Sequence, residues 1–324
     1  MPAFAKPSFD FSYDVAAEIG HLRAWRNTQP GRNVPRKSSK HLLIASWNIA
    51  NLGAQERRPQ DHRLIAELLS WFDLIAVQEV RENLADFDLL RAALPARYRA
   101  LYSDAAGNDE RLLFIYDSRK LALLEEVGEI ALAPVEAARV KLPALTEQRF
   151  DGFDRTPYFA SWRAGPGFDF QLVNVHLYYG SFRNKAESTR SMNRRTLETL
   201  AVARWAYQRR RSRFVPIKDI VVMGDFNLPK IAPGDPIFDA LTSRGLRLPM
   251  HTAQVGCNLA GDKYYDQIGF FDSTRLVGGV NVFDFDGAVF PALWQSRSAE
   301  DFRAYVRYYL SDHRPVWCQL KLQD

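Results

Sequence analysis

Eight short apolar runs constrain this chain more than any other feature: LLIASW, DLIAVQ, RLLFIY, YFASW, FQLVNV, DIVVMG, YYDQIGFF and PVWCQLKL, spread from residue 42 almost to the C-terminal end. Their length and their β-branched and aromatic content are those of buried strands. Helical patterns lie between them. Leu64, Ile65, Leu68, Leu69 and Phe72 share one face at 3.6-residue spacing. A second helix is expected over residues 188–210, with Leu197, Leu200, Ala201 and Trp205 inward and Arg190, Arg194, Arg195 and Arg204 solvated. Strands interspersed with helices imply sheets whose outer faces the helices cover.

Residues 1–40 differ from the rest and end in NTQPGRNVPRKSSK, which reads as a loop or linker, so they are taken as an N-terminal extension to a sheet-rich unit over 41–324. With 324 residues, 47% hydrophobic and 13% aromatic, the chain can bury a large core, which excludes a disordered or fibrous polypeptide. Cys257 and Cys318 are its only cysteines, too few for a disulfide framework or a Cys-based zinc site, and a cytoplasmic setting is expected. Neither a signal peptide nor a run of 18 apolar residues is present, so no membrane span is expected. A monomer is expected too. The net charge of +5 and pI near 9.1 favour anionic partners without naming them.

Several apolar runs terminate in a residue of a type able to bind metal or move protons. Asn48 follows LLIASW, Glu79 follows DLIAVQ, His176 follows FQLVNV, and Asp225 with Asn227 follows DIVVMG. Asp266 lies in YYDQIG, and Asp312 with His313 precedes the last strand. Singly, an Asp or Asn after a strand is more often a turn former. Their recurrence at strand ends instead marks one rim where a constellation is held on rigid elements. Hard oxygen ligands such as Glu79, Asp312 and the Asn48 amide suit Mg²⁺, and imidazoles beside carboxylates supply acid and base, which together fit phosphoryl transfer.

In order and spacing, SWNIANLG, IAVQEV, VNVHL, VVMGDFN, YYDQI and SDHRPVW resemble the signature blocks of the endonuclease/exonuclease/phosphatase superfamily, whose members include deoxyribonuclease I. The resemblance runs from about residue 42 to 322. It implies a four-layer αββα sandwich, two mostly antiparallel sheets face to face with helices outside, forming a single catalytic domain. Carried over to this sequence, it makes Glu79 the main ligand of Mg²⁺ (or Mn²⁺), with Asn48 nearby and Asp312 completing the cluster. Asp225 and Asn227 would orient the attacking water and contact the phosphate, Asp266 would orient His313, and Glu110 would pair with His176. Arg155, in an Arg-x-Pro setting, resembles a phosphate-contacting arginine.

The sequence departs from the deoxyribonuclease I pattern at Asn108, where a substrate-contacting tyrosine would stand, and it lacks the flanking blocks of inositol polyphosphate phosphatases. Arg183, Lys185 and Arg190 follow the His176 strand and either border the site and track a phosphate backbone or form a solvated loop and helix face. Asp284 and Asp286 of FDFDG read as loop residues in an insertion, and His21 and His251 as surface or core residues. The resulting expectation is a metal-dependent phosphodiesterase acting on nucleic acid, DNA or RNA. A phosphatase or phospholipid phosphodiesterase on the same scaffold is the alternative, and an inactive binding module stands last.

Overall fold

In the computed structural model, which describes residues 3–28, 32–142, 148–249, 251–252, 255–272 and 275–322, alternation along the strands sorts the apolar runs into layers. In strand β1 (His41–Leu52), Leu43, Ala45, Trp47 and Ile49 join one buried cluster while Leu42 and Ile44 join another. The period of two that separates these sets is the pleat of the strand.

The elements follow in chain order. Helix α1 (Val15–Trp25) precedes β1, and α2 (Pro59–Ser70), β2 (Leu74–Arg81), α3 (Ala85–Ala93), β3 (Tyr98–Tyr102), β4 (Glu110–Asp117) and β5 (Leu121–Glu129) follow it. Next come α4 (Pro134–Ala137), β6 (Tyr158–Ala164), β7 (Phe168–His176), α5 (Lys185–Arg211), β8 (Ile220–Asp225) and α6 (Pro236–Thr242). The chain closes with β9 (Asp266–Phe270), β10 (Leu276–Val282), α7 (Pro291–Ser296), α8 (Ala299–Tyr309) and β11 (Val316–Lys321).

One sheet has the order β10-β11-β1-β2-β4-β3 and the other β5-β6-β7-β8-β9. All neighbours run antiparallel except β1 with β2 and β7 with β8. Leu42, Ile44, Leu74, Ala76, Phe170, Leu172, Val221, Met223 and Ile268 fill the space between the sheets. The opposite faces of the two sheets are buried against helical residues such as Leu64, Leu68 and Tyr305 on one side, and Val202, Ala206 and Ile237 on the other. This is a four-layer α/β sandwich with helices outside, as expected.

All eight apolar runs are strands, and the helix expected over 188–210 is α5. The structure corrects one reading. Arg195 is not solvated: it is 2% exposed, and its guanidinium donates to the backbone carbonyls of Tyr178, Tyr179 and Asn227. The N-terminal extension carries a helix ahead of the stretch read as a loop. It forms α1 and lays Phe4, Phe9, Phe11, Tyr13 and Trp25 against the helix-side core. Residues 29–31 of its Pro- and Gly-containing stretch lie outside the described residues. Asp284 and Asp286, read as loop residues, also make anchoring contacts: Asp284 is buried and accepts from Trp25 and Arg32, while Asp286 accepts from Nε and Nη2 of Arg314 at 2.6 Å each. His251 is buried edge-on to Tyr264, and His21 pairs with Glu18.

Candidate active site

The alternation that builds the inter-sheet core also builds the site. Continuing the inward-facing set of each strand by two residues leads from Ile44 to Ser46 and Asn48, from Ala76 to Gln78, and from Leu172 to Asn174 and His176. On β8 it leads from Met223 to Asp225, on β9 from Ile268 back to Asp266, and on β4 from Leu112 back to Glu110. All of these are buried, so the space between the sheets is apolar at one end and polar at the other. The transition is fully bonded: Gln78 donates to Asn174 Oδ1 at 2.6 Å and to Ser46, and the Asn174 amide donates to the carbonyls of Val77 and Leu113.

Glu79 breaks the alternation. Its neighbour Gln78 faces inward, so a regular strand would point Glu79 the other way. The β2–β4 register shifts between Val77 and Val80, and Glu79 adopts the left-handed backbone conformation at φ 60°. That conformation costs a non-glycine residue about 1–3 kcal/mol, a strain that clusters at functional sites. It brings the Glu79 carboxylate to Asn48 Nδ2 (2.9 Å) and the Asn51 backbone N–H (2.9 Å). Asn227 is likewise left-handed, at φ 52°; its N–H donates to Asp225 Oδ1 (2.8 Å) and its amide to the Leu177 carbonyl (2.8 Å).

Two imidazole–carboxylate pairs face each other across Asp225. His176 Nδ1 lies 3.0 Å from Glu110 Oε2, and His313 Nδ1 lies 2.7 Å from Asp266 Oδ2. The far nitrogens of both rings point to one atom: Asp225 Oδ2 is 3.7 Å from His176 Nε2 and 3.8 Å from His313 Nε2. The same oxygen accepts from Asn48 Nδ2 at 3.1 Å, and His176 Nε2 is 3.9 Å from Glu79. Burial would push the Asp225 carboxyl up, but the two imidazoles and the donors from Asn227 and Asn48 hold it below its ordinary value. Glu110 is also buried, yet His176 and Arg155 bring it down to about 2. Desolvation works against a charged His313, but Asp266, Asp225 and Asp312 outweigh it and raise its pKa well above the ordinary value.

Burial, reinforced by Glu79 and Asp225 against the opposing His313, pushes the Asp312 carboxyl up to about 6. Glu79, Asp225 and Asp312 are thus crowded acids whose mutual repulsion a cation would relieve. His176 Nε2 is buried without a hydrogen-bond partner among the described residues, on the side of Glu79 and Asp225. Glu79 lies 3.9 Å from that nitrogen, and oxygen donors of the kind that Asn48, Glu79 and Asp312 offer fit a hard divalent ion.

Arg155, expected to meet substrate, is 3% exposed and committed to protein groups. It donates to the carbonyls of His176 and Leu177 and to Asp154, and its Nε lies 3.6 Å from Glu110. Any phosphate it touches shares a guanidinium that already fixes the end of β7. Arg183 is exposed, as are Lys185 and Arg190.

Sequence reasoning missed the residues that tie these segments together. Ser311 Oγ donates to the Asn48 carbonyl (2.6 Å) and accepts from the His313 N–H (2.9 Å). Arg57, buried at 7% exposure, donates to the carbonyls of Ile49, Ala50, Tyr309 and Leu310, joining the end of β1 to the segment carrying Asp312 and His313. Its only sequence signal is a charged residue just before a helix. Arg57→Met should strand those carbonyls at about 1–3 kcal/mol for each one left buried, and lower kcat more than it changes KM. Arg57→Lys should recover part of both. Urea unfolding and steady-state kinetics read the two effects separately, and wild-type kcat in a destabilised Arg57→Met protein would reduce Arg57 to a purely structural residue.

No family model and no curated protein matches the sequence. Solved structures do resemble it. An endonuclease/exonuclease/phosphatase family protein from Bacteroides thetaiotaomicron superposes with a TM-score of 0.57 at 18% identity, over 86% of this chain and 94% of that one. The mannosyl-6-phosphatase of Bacteroides thetaiotaomicron follows with 0.53 at 18%, over 86% and 98%. ANGEL2, a 2',3'-cyclic phosphatase, gives 0.53 at 13%, over 87% and 95%. The chain therefore has the fold of the endonuclease/exonuclease/phosphatase superfamily.

Proposed function

We propose that this protein is a phosphoesterase that uses Mg²⁺ or Mn²⁺, and that its substrate is a nucleic-acid phosphodiester. The observation that carries the reading is the convergence of His176 and His313, each tied to its own carboxylate, on the single oxygen Asp225 Oδ2. Asn48, Glu79 and Asp312 are the proposed ion ligands. The ion, when bound, neutralises charge on the phosphate. Glu110 and Asp266 each fix one imidazole, so the two Nε2 atoms and Asp225 can take a proton from water and give one to the leaving oxygen. Asn227, its backbone N–H on Asp225 and its amide on Leu177, sets the angle of the Asp225 carboxylate beside the phosphate.

The polynucleotide reading is supported by the basic balance of the chain and by exposed Arg183, Lys185 and Arg190 at the start of α5, just past the His176 strand. Sites lined by acids repel polyanions unless surrounding cations reverse the local potential. Each phosphate contact then contributes about −0.9 to the log–log salt slope of binding to duplex DNA, and Arg183→Ala should flatten that slope by about one unit with little sequence dependence. Fluorescence-anisotropy titrations of duplex DNA across salt, in Ca²⁺ to suppress turnover, measure this. A slope near zero would remove the polynucleotide. A small phosphate ester is the second reading, supported by neighbours named as phosphatases. Turnover of sugar phosphates or inositol phosphates, with no cleavage of DNA or RNA in either metal, would establish it instead.

A further inference from the structure

Beside the His313–Asp266 pair lies a ligand atom that phosphoester chemistry does not use. Cys257 is completely buried, its sulfur accepts the Asp266 N–H at 3.1 Å, and its thiol donates to the Lys263 carbonyl at 3.5 Å. The Cys257 sulfur, a carboxylate oxygen of Asp266 and a ring nitrogen of His313 lie within 4.8 Å of one another, the one such trio of His, Cys, Asp or Glu ligands among the described residues. Asp266 Oδ2 is taken by His313, but Oδ1 is buried and has no hydrogen-bond partner among the described residues.

One sulfur, one nitrogen and one carboxylate oxygen make a donor set unlike that of Asn48, Glu79 and Asp312. Thiolate and imidazole select Zn²⁺ and similar borderline-soft ions over Mg²⁺. We propose that Cys257, Asp266 and His313 form an inhibitory site for a thiophilic divalent cation such as Zn²⁺. On binding, the ion replaces the thiol proton and the proton held between Asp266 and His313 Nδ1, and both protons leave to solvent. The sulfur, the nitrogen and the carboxylate each give a lone pair to the ion, and no oxidation is involved. His313 is then pinned by the ion and parted from the carboxylate that orients it, so hydrolysis stops until a chelator removes the ion. The inhibition rests on the phosphoesterase reading, whereas the binding site does not.

Co²⁺ is the probe, because a cobalt–thiolate bond adds an intense charge-transfer band in the near ultraviolet that oxygen and nitrogen ligands do not give. The full chain, stripped of metal and kept reduced, should develop this band at one equivalent, and excess Zn²⁺ should bleach it. Cys318→Ser should keep the band, since Cys318 is buried elsewhere in the sheet core. Cys257→Ala should lose it. Cys257→Ser, which keeps an acceptor for the Asp266 N–H, should lose it as well and serves if the alanine variant misfolds by circular dichroism. No band in the wild-type chain, or a band that survives in a folded Cys257 variant, overturns the site. In a second arm, Zn²⁺ is titrated into the hydrolysis assay at fixed excess Mg²⁺, and activity is expressed relative to each variant's own zinc-free rate. Half-inhibition should shift by at least about 10–100-fold in Cys257→Ser, and an unshifted curve overturns the inhibitory role. Should the chain hydrolyse no phosphate ester, the cobalt band alone still decides whether the site binds.

Discussion

Turnover in excess EDTA is expected to fall to background, and Glu79→Gln is expected to remain at least about 10³-fold below wild type when Mg²⁺ or Mn²⁺ is restored. Glu79 holds its position through a left-handed backbone residue, and its carboxylate bonds Asn48 and Asn51. The glutamine amide retains an oxygen for one of these donors and nearly the same shape, so the fold should persist while the charge that attracts the ion disappears. Glu79→Ala is the harsher comparison, since it keeps the backbone strain and loses both bonds. Isothermal titration with Mn²⁺ separates lost ion binding from lost chemistry: the variants should bind weakly or not at all, with unchanged circular dichroism. Near wild-type rates in EDTA, or in either variant, would sink the assignment of Glu79 as an ion ligand.

What could be read from the sequence follows the burial of each element. The eight recognised strands have continuous or nearly continuous apolar runs, because most are covered on both faces. The three that were missed, β3, β5 and β10, are all edge strands. The burial along β5 switches between more and less exposed positions, with Glu125, Glu126, Gly128 and Glu129 in its second half, and β10 carries the Gly278-Gly279 bulge. Edge strands need little apolar sequence, so periodicity is a poor guide to them. The residues of the candidate site were legible because rim positions must carry unusual polar side chains at the ends of apolar runs. Arg57, Arg195 and Ser311 were not, because they act through backbone carbonyls and amides, which no side-chain pattern records. Arg195 also sits on a helix whose neighbouring arginines, Arg190 and Arg194, are exposed, and only the return of the Tyr178–Tyr179 and Asn227 backbones over it buries that one position.

His313→Ala and His176→Ala should each lower kcat by about 10²–10⁴-fold, the range that a positioned acid or base contributes. The more discriminating variants lie one residue behind. Asp266→Asn preserves the shape of the carboxyl but cannot stabilise a charged His313, and it can offer an amide N–H where the ring's own N–H must be received. If the pair works as a unit, Asp266→Asn costs nearly as much as His313→Ala, and the double variant costs little more than either alone. The same holds for Glu110→Gln with His176→Ala. Across pairs the relation differs, because the two imidazoles reach Asp225 Oδ2 from separate carboxylates 2.7 and 3.0 Å behind them. His176→Ala combined with Asp266→Asn should therefore lose more than either single change. Rates are read as single-turnover hydrolysis at saturating metal, with folding checked by thermal melting. Equal, additive losses within and across the pairs would mean that Glu110 and Asp266 are structural carboxylates and that the imidazoles act without them.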